Sequence, residues 1–163
     1  MSFDQAAILA VYAAAIKAVY AAALSTAKQL NVFEAVYGYE PKAAPVSLPA
    51  CAVWTDHIVP VAGVSGLAST SGRLGLRARI YLNFLSKPED RIDPELLRLT
   101  STLFGAYSGG FTFAGTVMEI DLLGAHGESL SARTGYVHHD DTVYRVAECD
   151  IPVIITDLWT QEA

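Results

Sequence analysis

The sequence predicts an α+β fold, with a long N-terminal helix and a mixed or antiparallel β-sheet on which a second helix packs. Three features carry this expectation. Residues 6–27 are almost wholly apolar at helical spacing. Residues 73–84 alternate apolar and polar without a break, and Asp93-Pro94-Glu95 opens a second helical stretch between runs of strand pattern. At 163 residues the chain fits one domain, taken here as 1–163.

The first helix is expected to begin at Ser2-Phe3-Asp4-Gln5, which matches a capping box: a serine oxygen and a glutamine side chain satisfy exposed backbone amides. Ile8, Tyr12, Ile16, Val19, Tyr20 and Leu24 form its bulky stripe, and alanines such as Ala10, Ala14, Ala18 and Ala21 leave small-residue surface elsewhere. Val-Tyr-Ala-Ala-Ala occurs at Val11 and again at Val19, slightly more than two turns apart, so both copies lie on roughly one side and read as packing. The stretch is long enough to span a bilayer. Lys17 near its middle, the weak transfer energy of alanine and a flank without basic residues predict a soluble helix instead.

A β-rich region follows. Residues 32–37 and 51–59 read as strands separated by a loop spaced with Pro41, Pro45 and Pro49, and Pro60 closes the second strand. Residues 61–72, rich in Gly, Ser, Ala and Thr, read as a flexible exposed loop. In the strand 73–84, Leu74, Leu76, Ala78, Ile80, Leu82 and Phe84 face the core, and Arg73, Arg77, Arg79, Tyr81 and Asn83 face away. The second helix takes Asp93 as N-cap and Pro94 in its first turn, has Leu96, Leu97, Leu99, Leu103 and Phe104 as its apolar side, and ends at Gly109-Gly110. Strands are expected over 116–123, 130–138 and 142–159. Met118, Ile120 and Leu122 alternate with Val117, Glu119 and Asp121, a short turn at His139-Asp140-Asp141 makes an antiparallel hairpin, and Pro152 marks an edge or a bulge.

Composition narrows the function. Hydrophobic residues at 52% against 17% charged allow a buried core, and a net charge of −6 argues against phosphate-backbone binding as the main task. Cys51 and Cys149 are far apart and lack zinc-like spacing, so they read as buried free thiols in a reducing cytoplasm. Catalytic motifs are wanting. Gly63-Val64-Ser65-Gly66 lacks the second glycine of a nucleophile elbow, and the run from Gly110 to Gly115 lacks the Lys-Ser or Lys-Thr of a phosphate loop. His138-His139-Asp140-Asp141 is the one metal-like cluster, but successive strand residues face opposite sides, so a solvated turn is expected and no metal or cofactor. His57 and His126 have no partner readable from the sequence. Arg73, Arg77 and Arg79 form a basic row; Glu119 with Asp121, and Glu148 with Asp150, form acidic rows that can meet it within one sheet or between subunits.

Several phrases in this order resemble the tail terminator (tail completion) proteins of siphophages, particularly those from actinobacterial hosts. The carrying stretches are Leu74-Gly75-Leu76-Arg77-Ala78-Arg79-Ile80-Tyr81, Ile92-Asp93-Pro94, Gly110-Phe111-Thr112-Phe113-Ala114-Gly115 and Ile120-Asp121-Leu122-Leu123-Gly124. Gly135-Tyr136-Val137 through Tyr144-Arg145-Val146, and Pro152-Val153-Ile154-Ile155 to Trp159, complete them. The resemblance implies a non-enzymatic virion protein, assembled in the host cytoplasm. It would form a hexameric ring on the head-proximal end of the tail tube, stop tube polymerisation and join the tail to the head-closure or connector protein. DNA would pass through the lumen without specific binding, which a wall of like charge favours. No membrane is involved.

A ring closed by rotation uses two different surfaces of each subunit. The candidate subunit interface is Arg73, Arg77 and Arg79 with Glu119, Asp121, Glu148 and Asp150; the candidate docking loop for tube or connector is Val64, Ser65, Gly66, Leu67, Ser69 and Thr70. The nearest alternative is another head-tail connector component, a head-closure or adaptor protein. A small hydrolase or metal enzyme, and a protein anchored through residues 6–27, are the readings from other classes.

Overall fold

In the computed structural model, residues 5–110 and 119–161 are described, with side chains from residue 16 onward. The predicted capping box, the side chains of Ile8 and Tyr12, and the turn Gly110 to Gly115 with Val117 and Met118 lie wholly or mostly outside them. The fold is α+β. Helix α1 (Gln5–Gln29) is followed by strands β1 (Ala35–Tyr37), β2 (Ala50–Val61) and β3 (Ser69–Asn83), then helix α2 (Ile92–Gly109) and strands β4 (Glu119–Ile120), β5 (Ser131–His139) and β6 (Thr142–Thr160). They form one mixed sheet in the order β1-β2-β3-β6-β4, with β5 also on β6. Among the described residues, only the β1–β2 pair is parallel.

Helix α1 stops where Asn31 adopts φ 57°, a left-handed turn that asparagine tolerates. The bulky stripe seats it only in part, through Val19, with two alanines on the same contact line. Val19, Ala23 and Ala27, four residues apart, are fully buried, whereas Ile16, Tyr20 and Leu24 are half-buried at the margins. Small side chains on the contact line let the helix axis come close to the sheet, and the larger ones close the flanks. Helix α2 packs on the same face through Leu96, Leu99, Thr100, Leu103 and Tyr107, and the Tyr107 hydroxyl donates to the Ala23 carbonyl at 3.2 Å. Its start and its apolar side differ from expectation. A 3₁₀ turn (Glu89–Arg91) leads in, so Arg91 is the N-cap and Asp93 sits inside the first turn; Leu97 is 59% exposed. At its far end the Gly110 N–H donates to the Ala106 carbonyl.

The alternation in β3 holds: Leu74, Leu76, Ala78, Ile80 and Leu82 enter the core under the helices. Phe84 lies past the strand end and is 39% exposed. On the opposite face, Ala50, Ala52, Tyr81, Tyr144 and Val146 form a second small core beneath the segment that contains Ala44 and Leu48.

Three loop and strand-end expectations are corrected. Pro60 does not close β2: it pairs with Gly72, at a point where β1, which covers only Ala50 to Ala52, leaves an open edge that tolerates a missing N–H. Residues 61–72 are not a flexible loop. A 3₁₀ turn (Ala62–Val64) and a few residues join β2 to β3, and Ser69 and Thr70 already pair with Thr160 and Trp159. Serine hydroxyls read as loop composition instead tie the turn down: Ser71 is fully buried, donates to the Val64 carbonyl at 2.9 Å and accepts from the Asp157 N–H at 3.0 Å. Of the strand expected over 116–123, residues 116–118 lie outside the described ones, Glu119 and Ile120 are strand, and residues 121–123 already belong to the following loop.

Pro152 marks neither an edge nor the bulge. Strand β6 pairs with β5 up to Asp150 and with β4 from Val153, so the proline falls in the gap between two successive partners. Its carbonyl accepts from the Asp121 N–H at 2.9 Å, which shows that its backbone faces that side, where the missing N–H has no ladder to break. The irregularity in β6 lies further on, near Asp157 at φ 53°. As expected, β5 and β6 form a hairpin, joined by Asp140-Asp141 with Asp140 at φ 54°.

Candidate interaction surface

The face of the sheet turned away from the helices carries a cluster of ionisable side chains, because the alternation of β3 sends Arg73, Arg77 and Arg79 there. The register then sets acids of β6 beside them: Arg77 pairs with Asp150, and Arg79 with Glu148. The expected rows therefore meet within one sheet. Arg77 Nε lies 3.3 Å from Asp150, and Arg79 Nε lies 2.8 Å from Glu148. Arg79 is the better enclosed, with its guanidinium 5.1 Å from the Trp54 ring centre and a bond of 3.2 Å to the Tyr81 hydroxyl.

A bulge in β2 adds two residues to this face. The register slips between Thr55 and His57, leaving Asp56 unpaired in the ladder. Its carboxylate reaches Arg77 at 3.5 Å and His57 Nδ1 at 2.9 Å, although neighbours in a regular strand point apart. The His57 imidazole lies over Gly75, where any Cβ would fall 2.3 Å from the ring. Here glycine is needed for close approach. His57 Nε2 also stands 3.6 Å from Glu128.

Glu119 and Asp121 do not join the rows on β6. Asp121 is 3% exposed and organises the loop that follows: its carboxylate accepts the N–H groups of Gly124, Ala125 and His126 at 2.8–2.9 Å. The Leu130 N–H closes the same loop on the Asp121 carbonyl at 3.0 Å. Glu119 meets His126 Nε2 at 3.1 Å, and Arg73 donates to the His126 carbonyl at 2.7 Å. His57 and His126, without visible partners in the sequence, are thus both engaged. The braced loop carries Leu123, which is 93% exposed.

No family model matches the chain, and no curated protein matches it.

Among the docking-loop residues, Leu67 is fully exposed at the tip of the β2–β3 turn, whereas Ser65 accepts the Ser71 N–H and Gly66 donates to the Ser69 carbonyl. The tip is a fixed turn with one apolar side chain outward. At the other end of β3 lies a groove of about 320 Å³ lined by Phe84, Leu85, Lys87, Asp93, Tyr136 and Arg145. Arg145 spans it, 2.9 Å from Asp93 and 4.6 Å from the Tyr136 ring centre. Among the described residues, no group of three or more His, Cys, Asp or Glu side chains is arranged to hold a metal ion, and no helix is long and apolar enough to cross a membrane. The His138-His139 pair divides across β5: the His139 ring lies tilted at 6.1 Å from the ring centres of Tyr81 and Tyr144, which belong to the small outer core.

Sequence reasoning missed Asp56, His57, Glu128 and Arg133. The β2 pattern gives no sign of its bulge, and Glu128 reaches Arg73 and His57 only because the Asp121 loop folds back over β3. Arg133, set opposite Glu148 in β5, was open to a period-two reading of residues 131–139.

Proposed function

We propose that this chain is a structural subunit of a phage tail. Copies of it form a ring at the head-proximal end of the tail tube, halt tube growth and join the tail to the head connector. The sequence phrases set out above support this reading, and the α+β arrangement has the character that the resemblance implies. One structural observation carries it furthest: the charged side chains of the outer face are spent largely on one another, while isolated apolar side chains stand out on short turns, Leu67 fully exposed, Leu123 at 93% and Leu85 at 74%. A neighbouring protein can cover such outward apolar points, which stand on short turns.

Purified protein added to assembled tail tubes should bind one end only, seen by negative-stain electron microscopy. Loss of the gene from a phage should give overlong tubes. Tubes of normal length beside filled heads that leak would instead assign the chain to head closure, and protein bound along tube walls would defeat the capping reading.

A further inference from the structure

The ion pairs of the outer face line up in a row that crosses the sheet, and the two ends of the row differ in sign. From β2 to β5 the row runs Asp56, Arg77, Asp150, Arg133. Arg77 lies 3.5 Å from Asp56 and 3.3 Å from Asp150, and Arg133 lies 3.2 Å from Asp150. An acid therefore stands at one edge and a base at the other. Both have capacity left. The Arg133 side chain is 74% exposed and one of its nitrogens contacts Asp150, while the contacts of Asp56 to His57 and Arg77 both fall on Oδ2.

We propose that a second copy of this chain continues the row, its Asp56 meeting Arg133, so that copies join head to tail by opposite edges of their sheets. The inference rests on the ring reading for the partner being another copy, and it names the joint. Among the described residues, β5 has no strand on its outer side and β2 has β1 only along Ala50 to Ala52. Strand direction also fits. Because β2, β3, β6 and β5 alternate in direction, β5 set beside the β2 of a rotated copy is again antiparallel.

Two features of β2 determine how the edges meet. The bulge at Asp56 and the proline at residue 60 interrupt the row of backbone groups along that edge, as protected edges do. The joint is accordingly carried by side chains, and it is sensitive to salt. Like edges do not complement each other: two copies related by a two-fold axis at β5 would face Arg133 with a strand that carries no Asp or Glu. The charge pattern thus selects a heterologous contact, the kind that generates rings.

Sedimentation of the full chain at low salt tests this, with Arg133→Gln and Asp56→Asn as variants and their melting curves as a control for folding. The wild-type mass should rise with concentration, and the association should weaken roughly tenfold or more when salt is raised into the several-hundred-millimolar range. Each variant alone should stay monomeric. Mixed, they should form one-to-one dimers and nothing larger, because each retains the edge that the other lacks. A wild type that is monomeric at every concentration, variants that assemble like the wild type, or a mixture that does not dimerise would overturn the proposal. Tube-end binding, scored separately, keeps the two readings apart: head-to-tail association without tube binding removes the capping function alone, whereas normal capping by both variants removes the joint alone.

Discussion

Asp121 shows how far one side chain can set local structure. Its buried carboxylate takes three backbone N–H groups within a few residues and so fixes the course of a loop whose own residues are half-buried or exposed. Asp121→Ala should cost about 1–3 kcal/mol, read from the shift of a urea unfolding curve, since it removes a charged acceptor and hydrogen bonds to charged groups contribute about 1.5–3 kcal/mol. An unchanged midpoint would mean that the loop re-satisfies itself. The thiols make a second prediction. Burial, with the nearby Asp150 and Glu148 charges, pushes Cys149 from 9.0 up to about 12, and burial pushes Cys51 higher still. The unfolded chain gives up these protons near pH 9 and the folded chain does not, so their contribution is intact below pH 9 and is lost as pH climbs towards 12. Stability should fall by about 1.4 kcal/mol per pH unit for each thiol in that window, and Cys149→Ala should flatten the slope. Equal slopes in variant and wild type would count against it.

At the scale of elements, α2 is held to the sheet by a short apolar stripe in which Leu103 is fully buried. Leu103→Ala should destabilise by about 2–5 kcal/mol through lost transfer energy and the cavity left behind, whereas Leu97→Ala, at an exposed position of the same helix, should change stability by less than about 0.5 kcal/mol. Paired denaturation curves compare them directly. Leu97 had the right residue type to be read as core, but it lies about 100° round the helix from Leu96 and so falls off the buried line of Leu96, Leu99, Leu103 and Tyr107. Elements with a strict period were legible: β3 from its twelve-residue alternation, and the β5–β6 hairpin from the short polar turn His139-Asp140-Asp141 between patterned runs. What depended on partners was not. The burial of Ser71, the partner change at Pro152 and the bulge that brings Asp56 and His57 to one face all follow from which strand lies alongside. No local pattern encodes that. The candidate site fared likewise: the arginines and the acids of β6 were visible, but the edge residues Asp56 and Arg133 gained meaning only with the sheet order.

For the molecule as a whole, the order of strands matters more than their number. Strand β6, the last in sequence, fills the middle of the sheet: β3 lies along one side of it, and β5 and then β4 along the other. A chain ending after His139 should therefore lack cooperative unfolding and near-ultraviolet dichroism, although it retains both helices and every other strand; a sharp melting transition in that fragment would refute this. On a ribosome, most of the polypeptide must accordingly wait, with the apolar side of β3 uncovered, until residues up to about Thr160 have left the exit tunnel. Folding is then held back until β6 has been made. A nascent chain so long exposed is a natural client for holding chaperones, and slowing translation should not hasten its maturation.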